Sequence, residues 1–223
     1  MSTVHEVPVY DWQFAEPERF SVRCPFCGSQ GTFEPMGQDV IIPVPKAHPI
    51  ILGHRYCPNS GCSKHIFFVW NKLVGRMITY PPLRLAFDKS NVPETVAASL
   101  DEAITCHANG CYTAAAIMIR RTLEAICEDK GFTEGSLHSR LQSLAAHIVL
   151  PKELIDAMFV LKVLGNDAAH IRAKLYDTIE EEDVSVAIDL TKEIIKALYQ
   201  YDWLLSKLKR LSERKSRGDD TAS

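Results

Sequence analysis

The sequence predicts a mainly α protein in which a small β module precedes a helical bundle. Three observations carry this. Composition changes at Tyr80-Pro81-Pro82: ahead of it the chain is rich in proline, glycine and β-formers, and behind it apolar residues recur at helical intervals. Two close cysteine pairs lie in the front segment only. The 223 residues, 46% hydrophobic, suffice for one large domain or two small ones with a real core. The expected boundaries are a β module over 1–80, a helical bundle over 81–212 and a disordered tail over 213–223.

The cysteine pairs are Cys24-Pro25-Phe26-Cys27-Gly28 and Cys57-Pro58-Asn59-Ser60-Gly61-Cys62. Proline after the first cysteine, with glycine at the turn, suits two tight knuckles. Zn²⁺ takes four thiolates at about 2.3 Å in closed tetrahedral sites, and such a site helps a small module with little core to fold. Cys24, Cys27, Cys57 and Cys62 are therefore predicted to hold zinc as a staple, with no vacant position for catalysis. His54 and His65 lie close by as alternative ligands. Paired disulfides are the competing arrangement, and they require an oxidising compartment. Strands are expected at Phe67–Trp70 and Val74–Ile78 around Asn71-Lys72, with further extended pieces at Gln38–Pro45 and Ile50–Tyr56.

Helices follow. The first starts near Pro93 and ends before Gly110, with an apolar stripe of Val96, Leu100, Ala103 and Ile104. The second runs from Tyr112 to Lys130 with Gly131 as its stop; Ala115, Ala116, Ile119, Leu123 and Ile126 share one face. A third opens at Ser136 with Leu137, Leu141 and Leu144. A fourth opens at Pro151 and carries Leu154, Met158, Leu161 and Leu164 toward Gly165, with continuation through His170 left open. The last begins at a capping box, Thr178 with Glu181, and repeats Val184, Ile188, Ile194, Leu198, Tyr201, Leu205 and Leu208.

Net charge is −3, so any nucleic-acid contact must come from a local patch. No apolar run is long enough for a membrane span. Met1-Ser2-Thr3-Val4-His5-Glu6 has neither a basic nor a greasy stretch, which predicts a cytoplasmic protein. No Gly-rich phosphate loop exists. Cys106, Cys111 and Cys127 fall in helical patterns and read as buried small apolar residues.

The polar cluster Gly165-Asn166-Asp167-Ala168-Ala169-His170 puts Asn166 and His170 one helical turn apart. A histidine can act as acid or base near neutrality. Together with Tyr80-Pro81-Pro82, Gly110-Cys111-Tyr112-Thr113-Ala114-Ala115 and Arg120-Arg121-Thr122-Leu123-Glu124-Ala125-Ile126-Cys127, this string resembles a prokaryotic domain of unknown function found alone and fused to type I restriction endonuclease subunits. That family is similar to the HEPN (higher eukaryotes and prokaryotes nucleotide-binding) helical superfamily. The resemblance spans roughly 80–205 and implies a HEPN-like bundle, a zinc ribbon as companion, a homodimer, and a place in defence against foreign DNA.

Active HEPN ribonucleases carry an arginine followed, after a short spacer, by a histidine. His170 matches the histidine and Asn166 the polar residue near the arginine, but Gly165 stands where the arginine belongs. RNA cleavage without a metal needs a cation on the phosphorane as well as a base. The resemblance therefore implies a non-catalytic module that binds a nucleotide, nucleic acid or a restriction-system subunit. The alternatives are a ribonuclease built on His170 with Arg120, Arg121 or Arg172 as a borrowed cation, and a dimeric scaffold. His170 as an interhelical hydrogen-bonding residue, and Arg120–Glu124 as a simple i,i+4 ion pair, remain the plainer readings. On the β module, Arg19, Arg23, Arg55, Lys64, Lys72 and Arg76 alternate with Phe26, Tyr56, Phe67, Phe68 and Trp70. That mixture suits either base stacking with phosphate tracking or a small aromatic core. Arg121, Arg172, Lys72 and Arg76 are the expected nucleic-acid contacts.

Overall fold

A computed structural model describes residues 13–43, 49–71, 73–169, 179–201 and 203–210, without the side chains of Arg76, Asp167, Ala168 and Ala169. The chain divides into two compact units, Met1–Arg84 and Leu85–Ser223. The first contains seven strands: β1 (Gln13–Ala15), β2 (Phe20–Arg23), β3 (Gln30–Pro35), β4 (Asp39–Ile42), β5 (Ile50–Tyr56), β6 (His65–Asn71) and β7 (Arg76–Tyr80). All pair antiparallel. β5 is the hub. Its first half pairs with β4, its last two residues pair with β3, and its other edge pairs with β6. β1 extends β4, β2 extends β3, and β7 closes the far edge on β6.

This overturns the expectation of a mainly α protein, a HEPN-like bundle with a small β appendage. Among its described residues the front unit contains no helix, and it carries a seven-stranded sheet. The architecture is α+β, with strands and helices segregated along the chain. The sequence pattern understated the sheet because β1 and β2 have only three and four residues, and β3, Gln30–Pro35, carries glycine, glutamate and proline, so no long alternation announces them. Val74, expected in a strand, instead lies in the turn before β7, where Gly75 takes a positive φ.

The inner sheet face is built around an ion pair. Arg55 is 0% exposed and Asp39 2%. The guanidinium donates to both Asp39 carboxylate oxygens, at 2.7 and 2.6 Å. It also donates to the carbonyls of Glu18 and His54. Its Cζ lies 4.7 Å from the centroid of the Phe68 ring. Every charge is met, which is the condition for burying one. Gly53 makes the arrangement fit: a Cβ there would overlap both Asp39 and Phe68. Arg55 is thus a core residue, not one of the surface cations that its composition suggested.

The second unit contains α1 (Glu94–Ala108), α2 (Tyr112–Asp129), α3 (Leu137–His147), α4 (Lys152–Ala169) and α5 (Glu181–Ile195), followed by a π-helical turn over Lys196–Gln200 and further helix over 203–210. The predicted stripes form its core: Leu100, Ile104, Ile119, Leu123, Ile126, Leu141, Leu144, Met158 and Ile188 are sealed from solvent. Ser136 caps α3 by accepting from the Ser139 amide. α5 opens two residues later than expected. Its cap is Glu180, whose amide donates to Asp183 Oδ2 at 3.0 Å; Thr178 lies outside the described residues. α4 runs through Gly165 without a break. No helix among the described residues is long and apolar enough to cross a membrane.

Candidate functional site

The four predicted cysteines converge. Cys24 and Cys27 occupy the β2–β3 turn, and Cys57 and Cys62 the β5–β6 turn, so the β3–β5 pairing brings the two knuckles together. Each knuckle closes on its own backbone. The Cys24 amide donates to Ser29 O and the Gly28 amide to Cys24 O, with Gly28 at φ 74°. Across the second knuckle, the Cys57 amide donates to Lys64 O and the Cys62 amide to Asn59 O. Asn59 ties the two together by donating to Ser29 Oγ at 3.1 Å. At Gly31 a Cβ would press on the Pro58 ring, so this glycine lets the second knuckle settle against β3.

The four sulfurs lie within 4.8 Å of one another. Cys24 Sγ to Cys62 Sγ and Cys27 Sγ to Cys57 Sγ are each 3.8 Å. A disulfide sulfur pair is about 2.05 Å apart, so these are free thiols arranged as the corners of a metal site. Hydrogen bonds from Ser29 bring the Cys27 thiol down to about 6, while burial, with Cys24 and Cys27 as neighbours, pushes Cys57 up to about 12. Crowded sulfurs oppose one another's ionisation, and a divalent cation removes that opposition. His54 and His65 are not in the cluster; their rings face each other, with His65 Nδ1 2.8 Å from His54 Nε2.

The outer sheet face is apolar, exposed at Phe14, Phe67, Ile78 and Tyr80 and half-buried at Val40, Leu52, His54 and Val69. The register aligns Phe14, Val40, Leu52, Val69 and Ile78 in one row across β1, β4, β5, β6 and β7. A second row aligns His54, Phe67 and Tyr80. Residues opposite one another share a face. Phe67 is 55% exposed and Tyr80 59%. The His54 ring stacks on Phe67 with centroids 4.3 Å apart and planes 16° from parallel. Burial, then the charges of His65 and Arg55, hold the His54 imidazole below its usual value. The aromatic residues of the β module thus divide between core and surface. Phe20, Phe33 and Phe68 form core, and Phe14, Phe26, Phe67 and Tyr80 stand in solvent. The strand period separates neighbours as similar as Phe67 and Phe68. Arg19 pairs with Glu34, Arg23 donates to the Gly28 carbonyl, and Lys64 is exposed beside the second knuckle.

In the helical unit, Arg120 is half-buried and bridges to Glu124 at 3.1 Å, the plain i,i+4 pair. Arg121 is exposed, and Asn166 is half-buried within α4. His170, Arg172 and Lys72 lie outside the described residues, and Arg76 opens β7. A contact that sequence missed joins α2 to α4. A Cβ at Gly165 would overlap Arg120 Cβ and come within 3.0 Å of the Ala116 carbonyl oxygen. No side chain fits there, so an arginine cannot occupy the position where a ribonuclease motif calls for one. Of the remaining thiols, Cys127 is buried and raised to about 11, Cys106 is half-buried and also raised by burial, and Cys111 is exposed rather than buried as expected.

Residues 101–215 match the model of a domain of unknown function, DUF4145. No curated protein and no solved structure matches the chain.

Proposed function

This chain belongs to the DUF4145 family, and we propose that it is a non-catalytic module that binds single-stranded nucleic acid on its outer sheet face, stapled by zinc. The observation that carries the reading is the exposed aromatic pair Phe67 and Tyr80, with half-buried His54 stacked on Phe67, on a sheet whose opposite face is packed. Such a platform stacks bases without regard to sequence, because every base has a π-face. Zinc is the favoured ion because a tetrahedron of bonds of about 2.3 Å has edges of about 3.8 Å, the spacing of both sulfur pairs. Four thiolates complete the shell, so the metal fixes the knuckles and performs no reaction. At the α2/α4 crossing Arg120 is engaged by Glu124 and Gly165 excludes a second arginine, which favours binding over cleavage. A role in restriction or anti-phage defence, in the cytoplasm, rests on the resemblance drawn from the sequence.

The test is fluorescence anisotropy of metal-loaded protein with labelled oligothymidylate and oligouridylate at low salt. Binding is expected, and Phe67→Ala and Tyr80→Ala should each weaken it by about 1–3 kcal/mol. The salt dependence should stay the same, since neither residue contacts phosphate. No binding by the wild type, or variants that bind equally well, defeats the reading.

A further inference from the structure

The predicted stripe of the last helix leaves the core partway along. Leu198 and Tyr199 are buried, but Tyr201, Leu204, Leu205 and Leu208 are all exposed. Their spacing, i, i+3, i+4 and i+7, makes one continuous apolar face. Lys207 and Lys209 flank Leu208, one on each side. An apolar stripe edged by cations is the form of a helix that docks into an acidic-rimmed groove.

The helical unit contains such a groove, of about 310 Å³, between α4 and α5. Leu161, Leu164 and Ala187 form its buried floor. Val160 and Val186 are its walls, 58% and 54% exposed. Glu182 and Asp183, in the acidic first turn of α5, form the rim. The chain's own last helix does not reach it. Glu181 to Gln200 is unbroken helix, about 28 Å at 1.5 Å per residue, whereas 203–210 spans only about 11 Å. Folded straight back, that segment ends short of Leu190.

We propose that the α4/α5 groove is the docking site for the carboxy-terminal helix of a second copy of this chain. Leu205 and Leu208 enter between Val160 and Val186, and Lys207 and Lys209 meet Glu182 and Asp183. Each copy carries both halves of the contact, so the exchange is reciprocal and closes as a two-fold dimer. The groove and the nucleic-acid face share no residue, and the two proposals stand or fall independently.

Analytical ultracentrifugation of the full, metal-loaded chain tests this. The wild type should sediment as a dimer in the micromolar range. Val186→Asp and Leu205→Asp change exposed positions, so circular dichroism should show intact helices while each raises the dimer dissociation constant about tenfold or more. Glu182→Lys and Lys207→Glu should each weaken the dimer, and together should restore it. A monomeric wild type, a dimer indifferent to Val186→Asp, or a double variant no better than either single one overturns the proposal.

Discussion

Arg55 shows how far the environment of one side chain outweighs its type. In sequence it is one of several cations in an aromatic-rich segment; in the fold it is sealed with Asp39, and its donors are taken by a carboxylate and two backbone carbonyls. Deleting one partner of such a pair strands the other charge, which costs about 3–5 kcal/mol, whereas replacing both partners with apolar groups is far milder. Arg55→Met should therefore destabilise the β unit by about 3–5 kcal/mol, and Arg55→Met with Asp39→Leu should recover part of that loss. Hydrogen exchange at the β5 amides reads the local stability. Equal protection in wild type and Arg55→Met would show that the pair contributes nothing. The pairing was not legible beforehand, because a β strand alternates faces and nothing local says which face of β5 is sealed.

Helices were the most legible elements. α1 and α2 begin and end close to where proline and glycine said they would, and α3 begins at the serine cap, since caps and stops act within one turn of chain. What period alone did not show is where two helices touch. Gly165, inside the stretch where the fourth helix was expected to run on, is the α2/α4 contact. Two effects compete in Gly165→Ala. Helix propensity favours alanine by about 1 kcal/mol, and overlap with a packed neighbour costs about 1–3 kcal/mol. The overlap wins here, because its partners are a Cβ and a backbone carbonyl that cannot swing aside. The variant should lose several degrees in the helical melting transition; an unchanged or higher Tm would mean the helices move apart freely.

At the scale of the molecule, the two units have separate cores, one of Phe33 and Ile66 beside the cysteines and one of helix stripes. Metal removal should therefore act on one of them. A strong chelator, or Cys24→Ser, should abolish the sheet signal and expose the inner face while the helical signal and its Tm persist. Elemental analysis should give one zinc per wild-type chain and none after Cys24→Ser. Stoichiometric zinc retained by that variant would mean the ligand set is wrong, and coincident loss of helix would mean the units fold as one.

The knuckles, the helix stripes and the division near Tyr80 follow from the sequence by itself, because ligand spacing, capping and periodicity are interactions between residues a few positions apart. The seven-stranded sheet, the sealed Arg55–Asp39 pair, the outward turn of Phe67 and the glycine contact at α2 were decided only by the tertiary structure. Each depends on a strand or helix supplied from a distant part of the chain, and no local pattern records which partner arrives.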